Sequence, residues 1–441
     1  MKGRRIFVAG ATIVVLALVT AYGGRAAHAW QSRLEPVSMP SAPAGDAAAV
    51  ASGAKLAAIG DCIGCHTAPD GQPFAGGLPL QTPYGVIYST NITPDKDTGI
   101  GLWSLDAFTR AMRHGISRDG HLLYPAFPYP HFTRMSDPDI ASLYAWLMSR
   151  EPVNARTPKN ELQFPLGFRP IMAAWNLLYL HPGPDEPSSG TADPEVARGR
   201  YLVDSVGHCG ACHTPLNGLG AEQRDSALQG GTIEGWDAPA LTNLSTRPRA
   251  WTQAQLVGYL RTGFASEHGA SAGPMRPVTR LLADASAEDV QAIAAYLIAL
   301  QPNARAAPGD APASSMNSPS SISHVSVAAQ PGNGASLFVA ACASCHGDSA
   351  PISGGSGHPS LSLGTAVNAD SPRNMVRIIL DGIDWDDTAS AQFMPPFAST
   401  FTDAQIADLA NYTRTRFTAR GQWPSLDADA VARLRKESPQ R

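Results

Sequence analysis

Apolar residues recur at helical spacing in three well-separated stretches: Ile140, Leu143, Tyr144 and Leu147; Val290, Ile293 and Leu297; Ile406, Leu409 and Tyr412. Each pattern predicts a helix with one buried face. The starts agree as well. Ser136 is followed three residues on by Asp139, Ser286 by Asp289 and Thr402 by Gln405. All three resemble capping boxes, in which a hydroxyl and an acidic or amide side chain satisfy free N–H groups. Each cap contributes about 1 kcal/mol, and its recurrence at one place says more than its energy. Ahead of each lies a predicted middle helix, Leu105–Gly115, Gln255–Gly263 and Asn374–Gly382, closing on a glycine suited to the C′ position. Before that comes a short helical stretch in which a glycine precedes apolar residues: Gly53/Leu56, Gly199/Leu202 and Gly334/Leu337/Phe338. The order predicts an all-α chain built from three copies of one unit of roughly 100 residues.

The N-terminus is different. Lys2, Arg4 and Arg5 precede an uncharged run from Ile6 to Tyr22, and Ala27-His28-Ala29 offers a cleavage site. Residues 1–29 are thus expected to be an export signal or a retained membrane anchor. Either role carries the remainder across the cytoplasmic membrane, to the periplasmic side, and the leading basic residues fit a cytoplasmic N-terminus. The expected domains are 45–181, 193–301 and 332–420. Residues 302–331, rich in Ala, Ser and Pro, read as a flexible linker that lets the third domain move. Residues 421–441 form a C-terminal tail, locally basic through Arg433, Arg435, Lys436 and Arg441, and expected to be a solvated helix. With a net charge of −4, no broad basic field suggests nucleic acid.

The chemistry lies in the cysteines. Cys-x-x-Cys-His occurs at Cys62–Cys65–His66, Cys209–Cys212–His213 and Cys342–Cys345–His346, which uses all six cysteines. This is the attachment signature of c-type haem. Two thiols add to the vinyl groups and the adjacent histidine lies under the ring to bind iron. Zinc would need paired motifs at a short interval. A thioredoxin-like site would need a βαβ pattern. Disulfides would leave the histidines unexplained. Three covalently bound haems are therefore expected, and a porphyrin core compensates for the small size of each domain.

The opposite face of each iron needs a second ligand, and methionine there raises the reduction potential. Met275 follows Gly273-Pro274, and Met394 precedes Pro395-Pro396, both just ahead of the last helix of their repeat. In the first repeat Phe127 stands at the corresponding place, and phenylalanine cannot bind iron. His131 and Met135 are nearby. Met135 directly precedes the cap Ser136 and suits a hydrophobic staple on Ile140, which leaves His131 as the leading candidate. Bis-histidine ligation would lower the potential of the first haem. His114 and His121 read as surface or propionate-side groups, and His208, His268, His324 and His358 show no partner pattern. Trp103, Trp236, Trp251 and Trp385 are expected to pack on haem edges or cores.

The runs GGLPLQTPYGVIYSTNITPDKDTGIGLWSLDAF (76–108) and RHGISRDGHLLYPAFPY (113–129) resemble the tri-haem cytochrome c subunits of membrane-bound alcohol and aldehyde dehydrogenases of acetic-acid bacteria. The likeness spans about residues 45–420 and includes GPM and MPPF. It implies three tandem class I cytochrome c domains in an electron-transfer subunit that is not itself an enzyme. Phe127 is closer to the cytochromes that accompany molybdopterin hydroxylases, including aldehyde and nicotinate dehydrogenases. The resemblance thus implies a molybdenum-containing catalytic partner, an iron–sulfur subunit, and ubiquinone at the cytoplasmic membrane as acceptor. A quinoprotein alcohol dehydrogenase as partner, an open first haem acting as an enzyme site, and a carrier feeding a terminal oxidase are the alternatives.

Overall fold

A computed structural model of the chain describes residues 33–37, 46–183, 193–301, 333–347, 360–384 and 393–437. The expected signal or anchor, the linker 302–331, His324, His358 and Trp385 lie outside these residues. Among the described residues no helix is long and apolar enough to cross a membrane. The chain divides into two compact units, Met1–Ala192 with Arg200–His208, and Asp193–Gly199 with Cys209–Arg441.

In the first unit the leading helix Ala47–Ile59 packs on the closing helix Asp137–Met148. The two backbones meet at Gly53, where a Cβ would lie 2.1 Å from the Ser142 carbonyl oxygen and 2.7 Å from Trp146 Cβ. Only glycine allows that approach. Leu56, Ile59, Phe108, Met112, Ile140, Leu143 and Tyr144 are buried. The middle helix, Leu105–His114, ends on left-handed Gly115 as its sequence predicts. Its buried Arg113 donates to the carbonyls of Thr133 (2.7 Å) and Met135 (2.9 Å), fastening it to the start of the closing helix. Met135 is fully buried. A three-stranded antiparallel sheet (Pro79–Thr82, Gly85–Tyr88, Glu161–Leu162) frames one side. After the closing helix the chain folds back through Met172–Tyr179, and Met172 and Ala173 pack with Ile116, Leu122 and Tyr124.

The second unit contains the same crossing twice. At Gly199 a Cβ would sit 1.8 Å from the Ala292 oxygen and 2.8 Å from Tyr296 Cβ. At Gly334 the distances are 2.4 Å to the Asp408 oxygen and 2.7 Å to Tyr412 Cβ. In all three, glycine faces a carbonyl and the aromatic residue four positions later, so one packing solution is used three times. The closing helices are Ala287–Ala299 and Asp403–Phe417, capped by Ser286 and Thr402. The middle helices are Gln253–Thr262 and Arg373–Asp381. The former begins two residues earlier than expected because Thr252 and Gln255 make a full capping box.

Two expectations change. The C-terminal tail is not a solvated helix. Trp423, Leu426, Val431 and Leu434, the last two on the helix Ala428–Glu437, are buried in the same core as Ile406 and Leu409. Nor is the third repeat separate from the second, because its middle helix docks on the hairpin Gly231–Ile233/Trp236–Ala238. Asn374 exchanges two hydrogen bonds with the Asp237 backbone, at 2.8 and 2.7 Å. Arg377, 1% exposed, lies over the Trp236 ring at 5.3 Å and forms an ion pair with Asp381, Nε to Oδ2 at 3.2 Å. A buried guanidinium must have such partners or it would destabilise the fold.

Candidate functional site

Each Cys-x-x-Cys-His segment winds into a single helical turn. The histidine N–H donates to the carbonyl of the first cysteine at 3.0 Å (His66 to Cys62), 2.9 Å (His213 to Cys209) and 2.8 Å (His346 to Cys342). The turn presents two thiols and an imidazole together, as haem attachment requires. No cysteine is in a disulfide. In the first segment Asp61, left-handed at φ 46°, caps the turn through Gly64 N–H at 3.1 Å. Burial, then Asp61 and Cys65, pushes the Cys62 thiol up to about 12, and burial with Cys65 pushes Cys342 up to about 11.

The histidines are oriented by a second contact. His66 Nδ1 lies 2.6 Å from the Thr90 carbonyl oxygen, and His213 Nδ1 lies 2.7 Å from that of Pro239. A carbonyl can only accept, so Nδ1 carries the proton and Nε2 keeps its lone pair for a metal. Both carbonyls follow a hairpin, Pro79–Thr82/Gly85–Tyr88 in one case and Gly231–Ile233/Trp236–Ala238 in the other. The histidine's own carbonyl accepts from Gly76 N–H or Gly230 N–H, each at 2.8 Å. Burial lowers the pKa of both imidazoles, with the carbonyl bond opposing it. That direction favours the neutral imidazole, the form that binds a metal.

Further along the second repeat, Gly263 accepts from Ser271 N–H at 2.7 Å, and Met275 follows four residues later, half-buried at the first turn of Met275–Leu282. In the first repeat Gly115 accepts from Leu123 N–H at 2.7 Å, and Phe127 follows four residues later. The hydrogen-bond register therefore aligns Phe127 with Met275. In the third repeat Met394 is half-buried and pairs with Ile383 through two backbone bonds, just past Gly382. His131 is buried, with Nδ1 2.9 Å from the Asp204 oxygen and its ring 6.4 Å from that of His208. With Nδ1 so engaged, Nε2 is the nitrogen that would bind a metal. His208 Nε2 is 3.2 Å from the Gly60 oxygen, and His268 stacks on Trp251 at 3.6 Å. His121 pairs with Asp119 at 2.6 Å, in keeping with a polar surface role. The carbonyls of Thr90 and Pro239 escaped sequence reasoning because a backbone acceptor has no side-chain signature.

The residues fit c-type haem. Among the described residues, no three His, Cys, Asp or Glu side chains converge on a point where they could hold a bare ion. Comparison with known proteins agrees. The Cytochrome c family matches residues 196–301, and the family described as cytochrome C oxidase, cbb3-type, subunit III matches 329–412. A nicotinate dehydrogenase subunit of Pseudomonas putida is 43% identical over 408 residues, 91% of this chain but 33% of that protein. The fructose dehydrogenase cytochrome subunit of Gluconobacter japonicus is 37% identical over 406 residues, 88% of this chain and 82% of its own length. The cytochrome c subunit of a quinone-type alcohol dehydrogenase from Komagataeibacter europaeus is 37% identical over 432 residues, 92% and 88% of the two chains. The chain thus spans a third of the first relative and most of the other two.

Proposed function

This chain belongs to the family of cytochrome c subunits of dehydrogenase complexes, its members being electron-transfer subunits and not the catalytic ones, and we propose that it carries three c-type haems in three tandem class I domains. Haem, when bound, supplies one-electron exchange at iron. The chain's residues do the rest. Cys62 and Cys65, Cys209 and Cys212, and Cys342 and Cys345 hold the rings. His66, His213 and His346 bind one face of each iron. Met275 and Met394 close the other face in the second and third domains, and His131 does so through Nε2 in the first. The observation that carries this reading is the threefold recurrence of the motif turn and the Gly53, Gly199 and Gly334 crossings.

The chain takes electrons from a dehydrogenase of the molybdopterin type that oxidises an aldehyde or a heteroaromatic, assisted by an iron–sulfur subunit. It passes them to ubiquinone at the periplasmic face of the cytoplasmic membrane. Phe127 and the 43% identity to a nicotinate dehydrogenase subunit support this over a quinoprotein alcohol dehydrogenase. Affinity purification of the tagged chain from its native membrane, followed by metal and cofactor analysis, tests it. Molybdenum in the complex is expected; pyrroloquinoline quinone in its place would contradict the choice of partner. For the ligands, the oxidised protein should show the methionine–iron charge-transfer band at two haems. A third such band would exclude His131.

A further inference from the structure

We infer that Arg276 is a positioning residue that ties the methionine loop of the second repeat to that of the third, so that the redox properties of the two haem sites are set jointly. The inference rests on the reading that Met275 and Met394 ligate iron. Arg276 directly follows Met275 and is 8% exposed. Its Nη2 donates to the Asp384 carbonyl at 2.7 Å across 108 residues of sequence. Asp384 adjoins Ile383, and Ile383 is paired in both directions with Met394, N–H to O at 2.8 Å and O to H–N at 3.0 Å. One side chain therefore links the residue after one methionine to the backbone rung that holds the other.

A second connection runs beside it. Gly273, two residues before Met275, has φ +54°, and a Cβ there would lie 2.4 Å from the Trp236 ring. The same ring lies under Arg377, on the helix that ends just before Gly382. The methionine loop of the second repeat and the middle helix of the third thus meet at one indole, and Arg276 is the direct tie to the Met394 rung. A charge-assisted bond from a buried guanidinium is among the stronger hydrogen bonds available to a loop. Its loss frees both loops, which weakens methionine ligation and removes a cation close to both sites. Both consequences favour ferric iron, so both lower the potential.

The test is spectroelectrochemical titration of the holoprotein in four forms: wild type, Arg276→Ala, Arg276→Lys and Arg373→Ala. Met275→His and Met394→His assign the two potentials. Arg373 contacts the same hairpin through Asp237 at 3.3 Å without touching either methionine loop, and so reports on general loosening of the docking. Arg276→Ala is expected to lower the potentials of the second and third haems together, Arg276→Lys to restore part of the shift, and Arg373→Ala to leave both in place. A shift confined to the second haem, or an equal shift in Arg373→Ala, would overturn the inference. Absence of the methionine–iron band from the wild type would instead overturn the ligand reading beneath it.

Discussion

His66 and His213 show how much of a candidate haem ligand's geometry is set by its backbone neighbours. Each has Nδ1 fixed by a backbone carbonyl at 2.6–2.7 Å, and that contact selects the tautomer in which Nε2 keeps its lone pair for a metal. The motif histidines were legible in the sequence and their orienting carbonyls were not. His268 makes a separate test at this scale. It is buried, stacked on Trp251, with Nε2 3.2 Å from Gln255 Oε1. Burial lowers its pKa, Glu267 partly opposing, with Arg247 and Arg249 adding to the depression. Between that lowered value and the ordinary value of 6.5 the unfolded chain binds more protons than the folded one. Stability therefore falls as pH drops below about 6.5 and is flat above it. Thermal melts followed by circular dichroism should show this slope in the wild type and a shallower one in His268→Gln. An identical slope in the two would show that His268 does not contribute to it.

At the scale of elements, the glycine crossings and the ties between helices carry the repeat. Gly199→Ala places a methyl group 1.8 Å from the Ala292 oxygen, so the helices must separate, at a cost of about 1–3 kcal/mol. Gly258→Ala, on the helix Gln253–Thr262 with nothing within 4 Å of the new Cβ, should leave stability unchanged or raise it by about 0.5–1 kcal/mol. Denaturant melts of the pair separate close approach from ordinary helix propensity. Arg113→Met should cost about 1–3 kcal/mol, because the carbonyls of Thr133 and Met135 lose a buried donor. The ion pair to Asp137 adds little, since that carboxylate is 84% exposed. Much of this level was readable in advance. Caps at Ser136, Ser286 and Thr402 act locally, and local chemistry leaves a local signature. The C-terminal helix was misread because Trp423, Leu426, Val431 and Leu434 are interleaved with arginines, and burial there is decided by a partner surface far away in sequence. The docking of Arg377 on Trp236 was hidden for the same reason.

For the whole molecule, three copies of one helical frame in a single chain suit the passage of single electrons. The first repeat departs from the other two at one decisive place. Phe127 holds the register that methionine holds in the second repeat, so its haem should be the lowest of the three in potential. Phe127→Met should raise that potential and add a third methionine–iron band in the oxidised spectrum. If neither changes, Phe127 does not face the iron. Beneath all of this lies the number of haems, which the alkaline pyridine haemochrome of the purified chain, set against its protein concentration, measures directly. Three covalently attached haems per polypeptide are predicted, falling by one with each Cys-x-x-Cys pair changed to alanine. Two or fewer in the unaltered chain would contradict the account.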